Sequence, residues 1–348
     1  MLAAAAVSAA CAGASSATRP SVQMSGRDAT PTAGRAWGAT VQVIGSRATP
    51  QVTAARSRRS IRAHIHRRRG RTFRVVFVFP SAGTWRLAAR IESRSLSLGR
   101  VRVAPAELLL AQPGQVLARP DGSLVVTERA ARDRLLRVEP SGAARVLARG
   151  LDEPFGLANG RDGSLLVSAV GGVYRSGTRL AAVEAGPIAE APSGVLFYAG
   201  RTEVGRVDPG GTVHRYALEV DIPHGLVLAP DGSVVILDSG HDRIVRLDPE
   251  TGSSSVVATG LSTPLGIARE PSGALLVAEY GSGRILRVLP DGSRTRVASG
   301  LRRPYSLTRA EGGAVYVVEA GELSRPSGTL KRIDPDGAVT RIRLRLRG

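Results

Sequence analysis

The sequence predicts an all-β protein in two modules, a small β-sandwich followed by a six-bladed β-propeller. Three observations carry that reading. A segment recurs six times, opening at Pro113, Pro154, Pro187, Pro223, Pro264 and Pro304, at intervals of 41, 33, 36, 41 and 40 residues. Each copy holds four short runs rich in Val, Leu and Ile, with Asp-Gly or Ser-Gly between the first two. That is the pattern of four antiparallel strands joined by tight turns, and units of this period stack radially because one alone cannot bury both faces. The residues before about 105 lack the period but alternate apolar and polar side chains as half-buried strands do.

Composition bounds the reading. The chain has 348 residues, enough for two cores, with 41 Gly, 21 Pro and 4% aromatics, and no apolar run reaches the roughly 18 residues that span a bilayer. Cys11 is the only cysteine, which excludes a disulfide framework and a cysteine-held zinc. It lies in the small apolar run Leu2 to Ala12. Residues 1–19 therefore read as a signal segment, with Ala9-Ala10-Cys11 resembling a bacterial lipoprotein cleavage site. The expected location is extracytoplasmic, secreted or lipid-anchored at a bacterial cell envelope.

The first module is expected over 20–104. Trp37 to Val43, Arg74 to Phe79 and Arg100 to Val103 alternate as strands, and Pro80-Ser81-Ala82-Gly83 reads as a turn before Thr84-Trp85. The run Phe77 to Trp85 resembles the signature of small immunoglobulin-like sandwiches in secreted bacterial proteins, which implies a spacer or binding module with Trp85 in its core. Residues 1–104 hold 18 Arg against Asp28 and Glu92, about +16 of the chain's net +19. The densest run, Arg56 to Arg74, invites a nucleic-acid reading, but no aromatic is interleaved before Phe73. A solvated edge in an Arg-rich sequence explains it more simply. His64 and His66 share one strand face without a third metal ligand nearby.

The propeller is expected over 105–348, with Arg341 to Arg347 as the last outer strand or, alternatively, residues 105–112 joining the last blade. The end of the second strand forms a column: Glu128, Ala169, Gly200, Asp238, Glu279 and Glu319. Four acids converging on the mouth could bind a divalent cation such as Ca2+, orient a polar substrate, or hold loop N–H groups and arginines. The Arg in every blade favours the last. No cofactor is required. Phe155, Tyr280 and Tyr305, with Glu128 and Glu319, are the expected ligand contacts. His224 and His241 are the histidines nearest the mouth, His214 lying on a third-blade strand, so His224, Asp238, His241 and Glu279 form the candidate acid–base set.

Val126-Thr127-Glu128, Leu237-Asp238-Ser239-Gly240 and Ala278-Glu279-Tyr280-Gly281, with Arg243-Ile244 and Arg284-Ile285, resemble NHL repeats over residues 113–348. Gluconolactonase-like lactonases (the SMP-30 group) and strictosidine-synthase-like proteins share the six-bladed shape, and streptogramin B lyases have seven blades. The lactonase resemblance implies a metal held by Glu, Asn and Asp. Glu128 and Asp238 match, but Asn159 is the only Asn. The lyase resemblance implies a His and Glu cluster, and Pro223-His224-Gly225 is similar to one of its His turns. Without a complete catalytic set, the leading expectation is an exported, monomeric recognition or scaffold protein, its mouth binding a protein, glycan or small molecule. The alternative is a lactone hydrolase or C–O lyase led by His224, Asp238 and Glu279.

Overall fold

The computed structural model describes residues 20–27, 30–104, 106–129, 132–322 and 326–346. The signal segment and Cys11 lie outside them. The chain divides into two compact units, Met1–Ala106 and Glu107–Gly348.

The first unit is two four-stranded sheets. One runs β1 (Ser21–Ser25), β2 (Ala36–Ile44), β6 (Thr72–Val78), β5 (His64–Arg67); the other β4 (Arg59–Arg62), β3 (Gln51–Arg56), β7 (Gly83–Ile91), β8 (Arg94–Val103). Period-two alternation turns Trp37, Val75 and Phe77 of the first and Val52, Trp85 and Leu87 of the second into one shared core. Phe79 stacks on Phe77 at 5.4 Å and packs on Trp85 at 5.5 Å. The buried Trp85 indole N–H donates to the Ser81 carbonyl at 3.0 Å, so the turn supplies the acceptor that a buried Trp needs. His64 and His66 are exposed on β5, opposite Val76 and Arg74.

The second unit is six consecutive antiparallel sheets, here blades 1 to 6, each paired in chain order. Their innermost strands are Pro113–Ala118, Leu157–Asn159, Ile188–Glu190, Pro223–Leu228, Pro264–Arg269 and Pro304–Arg309. Each inner strand touches the next, and the sixth touches the first, so the sheets close a ring as a propeller. An inner strand has a free edge towards the channel, and side chains answer its N–H groups. The Val116 and Ala118 N–H groups of blade 1 donate to Ser306 Oγ and Thr308 Oγ1 of blade 6, both at 3.1 Å. Gln115 crosses the channel: its Oε1 accepts from Leu157 N–H at 2.9 Å and its Nε2 donates to the His224 carbonyl at 3.3 Å.

Ring closure differs from the sequence expectation. The outer strand of blade 6 is Val339–Ile342, and Arg345–Leu346 runs on to pair in parallel with Ala143 and Ala144 of blade 1. From the start of the second unit, Leu108 N–H donates to the Leu344 carbonyl and Leu110 bridges Gly328 in blade 6. Both the first and the last described segments of this unit therefore fasten the seam. The reason is burial: Leu110 and Leu344 are 0% and 1% exposed within the core shared by blades 6 and 1, which a straight continuation of blade 6 would not reach.

Leu344→Ala should cost about 2–5 kcal/mol, the range for a buried Leu cut back to Ala, read as a lower melting temperature. The exposed Leu346→Ala beside it should cost under about 1 kcal/mol; equal losses would mean the tail is not a seam.

Candidate functional site

The column acids are buried: Glu128 and Asp238 are 0% exposed, Glu279 1% and Glu319 5%. Each sits opposite its blade's opening proline, Pro113, Pro223, Pro264 or Pro304. Each turns one oxygen to a backbone N–H seventeen residues earlier, in the loop that enters the inner strand. The donors are Ala111 (2.6 Å), Asp221 (2.8 Å), Ser262 (2.9 Å) and Arg302 (2.8 Å). The other oxygen takes a donor from the third strand: Arg134 (2.5 Å), Arg243 (2.7 Å), Arg284 (2.7 Å) or Thr329 (2.5 Å). Burial pushes the Glu279 carboxyl up, but Ser282 Oγ, Ser262 N–H and Arg284 outweigh it and hold the group below its ordinary value.

That loop is strained where it meets the proline. Gln112, Glu153, Ile222, Thr263 and Arg303, each just before an opening proline, have φ of 40, 42, 47, 46 and 52°. Left-handed backbone is costly for a β-branched residue such as Ile222 or Thr263. In blades 1, 4, 5 and 6 the carboxylate bond to the same loop holds it there.

Blades 2 and 3 have no such carboxylate. Ala169 stands opposite the opening of blade 2, and in blade 3 the Ala199 N–H bonds the Pro187 carbonyl. Ala199 is thus the structural equivalent, one residue before the Gly200 that the repeat spacing assigns. With no acid and no partner arginine, a cavity of 740 Å³ opens over these two blades, its floor including Phe155, Ala169, Val183, Gly186 and Gly200. Val170, 58% exposed, and Ile222, 41% exposed, form apolar parts of the rim, and Arg129, Glu153, Arg201 and His224 supply charge and polarity.

At the channel end of this cavity, side chains from four blades meet. His224 lies edge-on to Phe155 at 5.8 Å and to Tyr305 at 5.9 Å. The Arg129 guanidinium stands over both aromatic rings, 5.2 Å from Phe155 and 5.8 Å from Tyr305. Arg129 Nη2 donates to the Tyr305 hydroxyl at 3.2 Å, which leaves the phenolic hydrogen free to donate, while Arg129 Nε is buried without a partner. Phe155 is fixed by its own backbone: its N–H donates to the Ser168 carbonyl, and its carbonyl accepts from Thr127 Oγ1 at 3.3 Å.

His224 Nδ1 is 3.0 Å from the Ile222 carbonyl. A carbonyl only accepts, so Nδ1 carries the proton and Nε2 keeps its lone pair. Burial lowers the pKa of His224, the Ile222 bond partly opposes this, and the Arg129 charge lowers it further. The net effect favours the neutral imidazole. Burial, with Tyr280 nearby, raises the Tyr305 phenol despite Arg129, so Tyr305 stays a donor.

The structure divides the sequence-derived set. His224, Phe155 and Tyr305 come together. Asp238 instead bonds His241 Nδ1 at 2.9 Å and Arg243, and Glu279 bonds Ser282 and Arg284. Among the described residues no hydrogen bond joins His224 to Asp238, His241 or Glu279. Arg129, the residue after the blade 1 acid, is the member that sequence reading missed. A divalent cation at this mouth would need several oxygens pointing to one place. The column carboxylates have turned theirs to loop and third-strand donors, and a guanidinium holds the centre, so these residues do not fit a Ca2+ site.

The family description "SMP-30/Gluconolactonase/LRE-like region" matches residues 111–308. No curated protein sequence matches the chain. Virginiamycin B lyase from Staphylococcus aureus superposes with a TM-score of 0.51 at 18% identity, over 70% of this chain and 89% of that one. The calcium-binding protein regucalcin from Agrobacterium tumefaciens gives 0.53 at 20% identity, over 70% and 94%. A Bacteroides thetaiotaomicron protein of unknown function gives 0.56 at 12% identity, over 92% and 98%. At these identities the likeness is one of fold.

Glu279→Gln should lower stability by about 1–3 kcal/mol, the scale for a buried polar group losing its charge-assisted partners. The carboxyl is depressed in the fold, so its contribution is complete above its unfolded pKa near 4.3 and fades as pH falls through the lower folded value. The gap between parent and variant melting temperatures should therefore narrow below about pH 4. A gap independent of pH would mean the charge is not what the loop needs.

Proposed function

This chain belongs to the SMP-30/Gluconolactonase/LRE-like family, and we propose that it is a metal-independent enzyme of the propeller mouth, opening an ester or lactone with His224 as general base. The observation that carries this is the neutral His224, its Nε2 unengaged, beside the Arg129 guanidinium and the Tyr305 hydroxyl at the head of an apolar-floored cavity. An ester carbonyl placed against Arg129 and Tyr305 would find two donors for the oxygen on which charge develops. His224 Nε2 would then take a proton, either from water attacking that carbonyl carbon or from the carbon α to a second carbonyl, next to the carbon that bears the ester oxygen. The first route breaks the acyl C–O bond and gives a hydroxy acid. The second breaks the alkyl C–O bond of a β-acyloxy group and gives an alkene and a carboxylic acid.

Support at family level comes from the lactonase name of the family and the lyase among its fold neighbours. A catalytically inactive variant of that lyase carries alanine in place of a histidine. Calcium chemistry, which the regucalcin name would suggest, finds no matching donor set here. A second reading, ligand recognition without turnover, draws on the column acids being committed to structure. In either reading we take the first unit, two packed four-stranded sheets with the Phe77 to Trp85 run, to be an immunoglobulin-like module, and the Leu2 to Ala12 run supports action outside the cytoplasm.

The test is turnover of a panel of lactones and cyclic depsipeptides, with product analysis for alkene or hydroxy acid. His224→Ala should reduce kcat/KM by about 10²–10⁴, as loss of a general base does, and chelator should leave the parent rate unchanged. Because His224 works only when unprotonated and its pKa is lowered, the acid limb of the rate profile should fall below about pH 6.5. Binding of these compounds without turnover would favour the recognition reading; activity that needs added metal would contradict the proposal.

A further inference from the structure

Strand register gathers on one sheet face a set of arginines that are scattered in the sequence. Arg62 on β4, Arg86 and Arg90 on β7, and Arg100 and Arg102 on β8 are all exposed. They alternate with the buried Ile91, Leu87, Trp85, Val101 and Val103, so they point away from the core. Arg86 sits directly opposite Arg100, and Arg102 opposite Thr84. The other outer-face positions are uncharged and, apart from Gln51 opposite Arg90, small: Thr53, Ala55, Ser60, Ala88, Ser95 and Ser97. The face is therefore a flat floor carrying guanidiniums.

Among the described residues of this unit nothing neutralises it. Like charges directly opposite each other on a sheet are destabilising. Only Asp28 and Glu92 are acidic in residues 1–106, and Glu92 accepts a bond from Ser46. Among the described residues none of the five arginines has an ion-pair or hydrogen-bond partner. Arg100 and Arg102 stand two residues, about 7 Å, apart along β8, and Arg86 and Arg90 four residues, about 13 Å, apart along β7. Such rows of planar guanidiniums suit a polymer with repeating carboxylate, sulfate or phosphate groups.

We infer that the outer face of β4-β3-β7-β8 binds a linear anionic glycan. The alternatives fit less well. Single-stranded nucleic acid is held by bases stacked on aromatics, and every aromatic of β7 and β8 is buried in the core, Trp85 at 0% exposure. A membrane surface is gripped by apolar side chains dipping between headgroups, and this face exposes no large hydrophobic residue. Residues Arg67 to Arg69, the run that stands out in the sequence, lie at and just beyond the end of the other sheet's edge strand β5 and are not part of the face.

The test is binding of the full-length protein to polygalacturonate and dextran sulfate, with neutral dextran, single-stranded and duplex DNA, and phosphatidylglycerol vesicles alongside. Both charged glycans should bind, and binding should weaken more than tenfold as NaCl rises from about 50 to 200 mM. The variant R86S/R90S/R100S/R102S should bind at least tenfold more weakly with an unchanged or higher melting temperature, because a like-charge pair is removed. R67S/R68S/R69S, a control of similar charge loss, should bind nearly as the parent does. Equal losses in the two variants, no binding to either glycan, or binding to DNA or vesicles alone would each overturn the inference.

Discussion

A buried carboxylate repeated at the end of the second strand organises one end of the propeller. It ties the loop entering each inner strand to the head of the third strand, and four blades use the same seventeen-residue reach. The bond matters because that loop enters a proline through left-handed backbone in each of those blades. A neutral side chain could not accept from both a backbone N–H and a guanidinium with comparable strength. The acid therefore braces this turn in four blades, whereas in blade 2 Glu153 adopts the same backbone without it.

Where the device is missing, space appears. Blades 2 and 3 carry Ala169 and Ala199 at the equivalent positions, their repeats are shorter, and the mouth cavity opens above them. Arg129 overhangs that space from blade 1. Its charge is held by two aromatic faces and a phenol oxygen, with no carboxylate beside it. A cation so placed is available to a ligand's developing negative charge and adds to the burial that disfavours protonation of His224. Electrostatics that would repel a metal ion would suit base chemistry of the kind proposed. This separates the mouth of this chain from one built to hold a cation.

The all-β propeller was legible because its period is written in turn chemistry, Asp-Gly and Ser-Gly at fixed distances from a proline. Turn glycines such as Gly232, with φ 88°, are needed by the hairpin itself. The seam was legible in part: residues 105–112 were the alternative partner of blade 6, and Leu110 does bridge Gly328 there. Arg341 to Arg347, however, alternate well enough to be one strand, and the buried Leu344 diverts the tail to blade 1. At the mouth, the acid column was found but its direction was not, since spacing fixes a residue's place on a strand and not which donors its oxygens meet. Phe155, His224 and Tyr305 were found through their position after the opening proline. Arg129 escaped because it stands beside the column instead of in it. The signal that could have exposed the site was the absence of an acid in two adjacent repeats.

The account rests on His224 being a neutral base under the influence of Arg129, and ¹⁵N NMR of the imidazole tests that directly. The parent protein should show the Nδ1–H tautomer with a titration midpoint below 6.5, the ordinary value. Arg129→Met should move that midpoint upward, because a nearby positive charge disfavours the imidazolium. A His224 midpoint at or above 6.5, an Nε2–H tautomer, or no response to the loss of Arg129 would contradict it.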